Sequence, residues 1–147
     1  MKNKKKLIMG TVLTVTVLVA FVAILSAANT VPVNVSFADM ILLEVKPYTY
    51  DGVERKSFTV EIGQDDIVNL KKVFTGTAMK DSPACPFGDV SLTFSSGEKS
   101  LVLYPAGDDC TTVRVVRNGE KYYFHNKDNE LMREILIRYG VVWPHSI

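Results

Sequence analysis

Residues 85–110 read CPFGDVSLTFSSGEKSLVLYPAGDDC, and this stretch contains both cysteines of the chain, Cys85 and Cys110. In its first half, apolar residues alternate with serine and threonine, which is the period-2 pattern of a half-buried strand. A Ser-Ser-Gly turn and a second apolar segment follow, so the stretch predicts a β-hairpin. Each cysteine lies just outside a strand end, and the hairpin therefore predicts a disulfide across its open end.

The segment that precedes this hairpin predicts two further strands and a helix. Apolar periodicity indicates strands over residues 40–45 and 57–62. A helix with one apolar stripe follows, and Asp65 and Asp66 at its start suit the unpaired N–H groups and the positive end of its dipole. Gly76 is predicted to follow the last turn of this helix as the residue that ends it.

The segment that follows the hairpin predicts two more strands and a second helix. The strands span residues 111–117 and 120–125, and the Asn-Gly dipeptide between them tolerates the positive φ angles of a type I′ turn. Asn126 or Asp128 is predicted to cap the last helix, which carries a second apolar stripe and ends at Gly140.

The predicted order of elements is β-β-α-β-β-β-β-α. Because short turns join most of these strands, the chain predicts an α+β domain with an antiparallel sheet of about six strands and two amphipathic helices on one face. Residues 48–55 and 77–83 are predicted as loops. We assign the folded domain to residues 39–147 and a linker to residues 29–38.

The N-terminal part of the chain has the pattern of a membrane segment. Residues 1–6 contain four lysines, and Leu7–Ala28 then runs for 22 residues without a charge. A helix of that length spans about 33 Å, enough for the hydrocarbon core of a bilayer. We therefore expect a single-pass anchor with the lysines in the cytoplasm and the domain outside.

The alternative interpretation of this segment is a signal peptide that is cleaved. Small residues precede two candidate cleavage positions, one after Ala28 and the other after Ala38, and cleavage at either would yield a secreted domain. The length of the apolar run favours the retained anchor, because the apolar region of a signal peptide is usually about 7–15 residues long.

The distribution of charge argues against one class of partner. The net charge of the chain is +1, but the four N-terminal lysines account for its basic excess. The rest of the chain has 13 basic and 16 acidic residues, a net charge of −3. Nucleic acid is excluded as the expected partner, because its binding needs a basic face that neutralises phosphates.

No group of residues in the sequence forms a recognisable catalytic, cofactor or metal site. A zinc site would have to be assembled from Cys85, Cys110, His125 and His145, which lie singly rather than in the closely spaced pairs of structural zinc sites. We therefore predict no catalytic residue, cofactor or metal, and a disulfide for the two cysteines.

Asp108 and Asp109 are adjacent acidic residues, and we consider this pair of carboxylates as a candidate catalytic group. Paired carboxylates can share a proton or hold a metal, but this pair lacks the alternating Asp, Asn and Gly pattern of a calcium loop. A solvated turn is the preferred interpretation, and a small hydrolase that uses Asp108 or Asp109 is the alternative.

Tyr122 and Tyr123 are the best indication of an interaction surface. Because they are adjacent on a predicted strand, their side chains point to opposite faces of the sheet, so at most one is buried beneath the helices. The other lies on the open face, and we assign a candidate interaction surface to Tyr122, Tyr123 and Arg114.

The lysine-rich start, the apolar segment, the frame CPFG…DDC and the final amphipathic helix resemble the layout of small secreted or membrane-anchored domains of unknown function common in Gram-positive bacteria. The resemblance names no activity and carries over no functional residue. The expected function is a membrane-anchored extracytoplasmic module that binds a protein or an envelope component without catalysis. An inhibitor or immunity-type partner of a secreted protein is the alternative, ahead of the hydrolase.

Overall fold

The computed structural model of the chain describes residues 29–50 and 52–143. The predicted anchor, Leu7–Ala28, and His145 lie outside the described residues. In the described part, neither helix is long and apolar enough to cross a membrane.

The described residues form ten strands and two helices. In chain order these are β1 (Thr30–Val33), β2 (Met40–Val45), β3 (Tyr48–Tyr50), β4 (Val53–Arg55), β5 (Phe58–Glu61), α1 (Gln64–Val73), β6 (Gly76–Met79), β7 (Val90–Ser96), β8 (Lys99–Pro105), β9 (Thr112–Arg117), β10 (Glu120–His125) and α2 (Asn129–Arg138).

Eight of the strands form one sheet in the order β1-β6-β10-β9-β8-β7-β2-β5, and β3 and β4 form a separate two-stranded ribbon. Every neighbouring pair in both sheets is antiparallel. The α+β prediction with an antiparallel sheet and two helices is therefore confirmed, but the sheet has eight strands rather than about six.

The strands that the sequence prediction missed are short. β1 lies in the predicted linker, residues 29–38, where it pairs with β6 along four residues. It contains Pro32 and lies at the edge of the sheet, where a residue without an N–H group is tolerated. Val33, Val35 and Ala38 are buried, so the predicted linker belongs to the folded domain.

Two predicted loops also contain strands. Residues 77–83 begin within β6, and residues 48–55 form the β3–β4 ribbon. Their sequences, GTAM for β6 and YTY and VER for the ribbon, are too short to show an alternating pattern. Pairing with neighbouring strands, rather than a local pattern, forms these elements.

One face of the eight-stranded sheet forms the core with both helices. Alternate residues of the central strands are buried there, and the helices contribute their apolar stripes to the same cluster. Phe74, at the end of α1, contacts Phe94 of β7 edge-on with 5.7 Å between the ring centres. Trp143, beyond α2, is also buried in this cluster.

The start of α1 differs from the prediction. Gly63 precedes the helix, and no side chain caps it. Asp66 instead joins the two helices, because it forms an ion pair with Arg138 and accepts a hydrogen bond of 3.0 Å from the hydroxyl of Tyr139. Gly76 does not end α1 but begins β6, since the helix already ends at Val73.

The predicted ends of α2 and the predicted turn before β10 are confirmed. Asp128 accepts a 3.0 Å hydrogen bond from the backbone N–H of Leu131 and so caps the helix. Gly140 follows the helix with a φ of 95°. In the β9–β10 turn, Asn118 and Gly119 both have positive φ angles, 52° and 80°.

Candidate functional site

The disulfide connects the two loops that flank the β7–β8 hairpin. Cys85 and Cys110 are bridged, with 6.5 Å between their Cα atoms, which confirms the prediction. The same loops are joined by an isolated bridge between Phe87 and Ala106 and by a 2.9 Å hydrogen bond from the N–H of Gly107 to the carbonyl of Pro86. Covalent and backbone contacts therefore fix the position of Phe87.

The ring of Phe87 contacts residues on the sheet face opposite the helices. Its centre lies 5.5 Å from the ring centre of Tyr123. Tyr123 alternates along β10 with Tyr122 and Phe124, which belong to the core, so it belongs to the other face. Gly88 follows Phe87 with a φ of 127°, a conformation that favours glycine where the chain enters β7.

Arg114 lies between two tyrosines on this open face. The strand register pairs it with Tyr104 of β8 on one side and with Tyr123 of β10 on the other. Its guanidinium carbon lies 4.6 Å from the ring centre of Tyr104 and 5.3 Å from that of Phe87, which are cation–π distances. We refer to Phe87, Tyr104, Arg114 and Tyr123 as the Arg114 cluster.

The charge of Arg114 is not neutralised within the described residues. Three other cations of this part of the chain form ion pairs with carboxylates, and Arg114 forms none. Its Nε is buried and has no hydrogen-bond partner there. Among the described residues, aromatic rings therefore position this guanidinium, and its donors have no acceptor there.

Two surface grooves flank the Arg114 cluster. The first has a volume of about 660 Å³ and adjoins Tyr104; apolar Val102 and Val116 line it together with charged Glu98, Lys99 and Arg117. The second has a volume of about 230 Å³ and adjoins Tyr123; its lining includes Met79, Pro83 and His125. The cluster thus lies between two open grooves rather than in a deep pocket.

Of the three residues assigned to the candidate surface, the structure brings Arg114 and Tyr123 together. Tyr122 is different, because its ring is only 7% exposed and belongs to the core cluster. Its hydroxyl reaches the rim of the sheet and donates a 2.9 Å hydrogen bond to Glu120. Tyr122 is therefore not part of the open surface, as expected for two adjacent residues of one strand.

Glu120 also pairs with Lys80, at 2.8 Å between Oε1 and Nζ. The hydrogen bond from Lys80, the one from Tyr122 and the lysine charge lower the pKa of the Glu120 carboxyl. The same hydrogen bonds raise the pKa of Lys80 and the pKa of Tyr122. This group joins β6 to β10, whose direct backbone pairing is limited to Tyr123 and Met79.

Asp108 and Asp109 have structural partners. Asp108 accepts a 3.0 Å hydrogen bond from the N–H of Cys110 and so closes its own turn. Asp109 forms an ion pair with Arg133 of α2, whose guanidinium lies 5.7 Å from the ring centre of Trp143. These contacts attach the disulfide loop to α2, and neither carboxylate approaches a nucleophile or a second acid in the contacts of the described residues.

Among the residues that the structure describes, one group of metal-ligating residue types lies close together, Cys85, Asp108 and Cys110. Because the two sulfurs are joined to each other, they are not thiolates and do not provide metal ligands. His125 lies elsewhere, where its Nδ1 is 2.7 Å from the hydroxyl oxygen of Thr111. His125 therefore does not join the two cysteines, as a zinc site would require.

The sequence analysis missed Phe87 and Tyr104 as members of the site. A signal for Tyr104 was present, since it alternates along β8 with buried Leu101 and Leu103 and must therefore lie on the open face. No local pattern indicated Phe87, which lies in an irregular loop and reaches Arg114 only because the disulfide and the neighbouring bridge hold that loop against the sheet.

The chain matches no protein-family model, and no match was found among the curated proteins or the solved structures compared with it. The site therefore has to be interpreted from its own geometry.

Proposed function

We propose that this protein is a non-catalytic binding module outside the cytoplasm and that it binds a partner protein through the open face of its sheet. The observation that carries the proposal is the Arg114 cluster, in which three aromatic rings and an unpaired arginine lie on a face that neither described helix covers. Arginine and aromatic residues are enriched at protein interfaces and dominate their binding energy.

A protein suits this surface better than an anionic envelope polymer. A polymer of phosphates calls for a row of cations, whereas the strands on both sides of Arg114 place tyrosines next to it. In the larger groove, Glu98 lies among the cations Lys99 and Arg117, so this groove is not a purely basic track. An inhibitor or immunity-type partner of a secreted protein would be one form of the same function.

The extracytoplasmic location is part of the proposal. A disulfide between Cys85 and Cys110 is consistent with an oxidising compartment. The anchor itself is inferred from the sequence of Leu7–Ala28, with the lysines of residues 1–6 on the cytoplasmic side. The competing hydrolase hypothesis has no comparable support, because Asp108 and Asp109 are both engaged in structural contacts.

Site-specific photo-cross-linking of the full-length protein in intact cells tests the proposal. A photoreactive phenylalanine replaces Val116, which is 41% exposed on the open face, and in a matched control it replaces Val68, which is 54% exposed on α1. We expect a discrete protein adduct from position 116 and none from position 68.

The cross-linked protein is then identified by mass spectrometry, purified and titrated against wild type and Tyr123→Ser. Loss of binding in this variant supports the open face as the contact surface. Equal adducts from both positions, or binding that Tyr123→Ser leaves unchanged, would contradict the proposed function.

A further inference from the structure

We infer that Arg114 recognises a carboxylate on the partner protein, so that the bound segment presents an aspartate or glutamate beside apolar side chains. The inference rests on the proposed function and specifies the chemistry of its ligand. It starts from the surroundings of the arginine, a cation that lies against two aromatic rings, has a buried Nε without a hydrogen-bond partner and lacks a counterion among the described residues.

No carboxylate of the described residues forms an ion pair with Arg114. Its strand neighbours are Tyr104 and Tyr123, and the other residues of β9 on this face are Thr112 and Val116. Acidic residues do line the two flanking grooves, Glu98 in the larger and Asp81 in the smaller, but neither forms an ion pair with Arg114. Glu44 of β2 lies three strand positions from β9, a distance of about 14 Å.

The rings leave the charged end of Arg114 available. Its Nε is buried, but the two terminal nitrogens are not among the buried unpaired atoms and form no hydrogen bond in the described part of the chain. A carboxylate can accept two parallel hydrogen bonds from these nitrogens, the geometry for which the planar guanidinium is suited. Because the rings fix the guanidinium beforehand, little side-chain freedom is lost when a ligand binds.

The flanking grooves indicate what surrounds the carboxylate. Val102 and Val116 offer apolar surface on one side of the cluster, and Met79 and Pro83 offer it on the other. Arg114 has no ion-pair partner among the described residues and lies between two grooves that combine apolar with charged side chains of both signs, so it complements an acidic side chain with apolar neighbours. A uniformly charged chain would place some of its charges against the apolar residues and against Glu98.

A random dodecapeptide library displayed on phage is a direct probe of this chemistry. The target is the full-length, disulfide-bonded protein in lipid nanodiscs, and empty nanodiscs remove peptides that bind lipid. From wild type we expect peptides with an aspartate or glutamate beside apolar residues. The best peptide should bind Arg114→Gln at least about tenfold more weakly, the scale expected when one partner of a desolvated charge pair is removed.

Three further variants make the result specific. Lys121→Gln removes another cation of the same face, exposed and two residues from Tyr123, and should change binding less than about twofold. Arg114→Lys should lose part of the affinity, because an ammonium cannot donate the paired hydrogen bonds. Arg114→Glu should no longer select acidic peptides. The buried Trp143 reports by fluorescence whether each variant is folded.

Each of the other outcomes would refute either the inference about Arg114 or the proposed function. Peptides that require Tyr123 but lack acidic residues would refute the role of Arg114 and leave the proposed function standing. Polyphosphate that binds wild type but not Arg114→Gln, without selection of acidic peptides, would show that the ligand is a polyanion and not a protein carboxylate. Absence of binding to both probes would contradict the inference and the proposed function together.

Discussion

Removal of the Cys85–Cys110 disulfide is expected to destabilise the domain by about 3.5 kcal/mol. The bridge closes a loop with a sequence separation of 25 residues. For such a loop the chain-entropy model gives about 3.5 kcal/mol at 25 °C, because the bridge restricts the unfolded chain. Since small domains have a total stability of about 5–15 kcal/mol, the loss would be a large fraction of it.

The magnitude can be measured with residues 29–147, which contain the whole described core. Trp143 is the one tryptophan of the chain and is buried, so its fluorescence follows unfolding in urea. With a urea dependence of about 1–3 kcal/mol per molar, the midpoint should fall by about 1–3.5 M in Cys85→Ser. Cys110→Ser and the double variant should show the same shift, because each single replacement already breaks the bridge.

Reduction supplies the matched control. A reductant should lower the midpoint of wild type to about that of the double variant and leave the double variant unchanged. A loss below about 1 kcal/mol would refute the chain-entropy estimate. A double variant that loses twice as much as either single variant would show that the cysteines contribute separately and that no bridge joins them.

Three further predictions concern the edge strand β1, the packing of α2 in the core and the pH dependence of stability. A chain that begins at Asn29 should fold, whereas one that begins at Asp39 lacks β1 and two buried valines and should be about 3–6 kcal/mol less stable in urea titrations. Ile135→Ala should cost about 2–5 kcal/mol by the same assay, and Ile137→Ala, at a position 45% exposed on the same helix, less than about 0.5 kcal/mol. The hydrogen bond from Lys80, just after β6, lowers the pKa of Glu120. The stabilisation by this carboxylate is therefore present above the unfolded pKa of 4.5 and is lost as the pH falls through the lower folded pKa. As the pH is lowered over that range, the urea midpoint of Glu120→Gln should therefore fall less than that of wild type. An identical fall in both proteins would refute the stabilising role of Glu120.

The elements that sequence analysis predicted correctly are those that a local pattern specifies. In β7 apolar residues alternate with serine and threonine, and β8 is an apolar segment that follows directly after a turn. The turn between β9 and β10 needs positive φ angles, which Asn and Gly tolerate. The helices have apolar stripes of the correct period. The missed strands β1 and β6 have four residues each, too few for a pattern to exceed chance.

Capping and termination were predicted less reliably than the elements themselves. Asp128 caps α2 as predicted, whereas Asp66 of α1 binds Arg138 at the end of α2 and Tyr139 directly after it. Both acids occur near a helix start, and sequence alone does not distinguish a backbone partner from a distant side chain. The ion pair between the helices exists only because the fold brings the start of α1 to the end of α2.

The sequence by itself determined the α+β class, the β7–β8 hairpin, the disulfide and the opposite orientations of Tyr122 and Tyr123. These properties follow from the period of a strand and from contacts between residues that are near in the chain. Only the tertiary structure decided that Tyr104, Arg114 and Tyr123 are neighbours and that Phe87 lies against Arg114 and Tyr123. The physical reason is that strand order and loop position depend on burial of the whole core. The surroundings of Arg114, including its lack of an ion-pair partner within the described residues, are therefore fixed by residues far from it in the sequence.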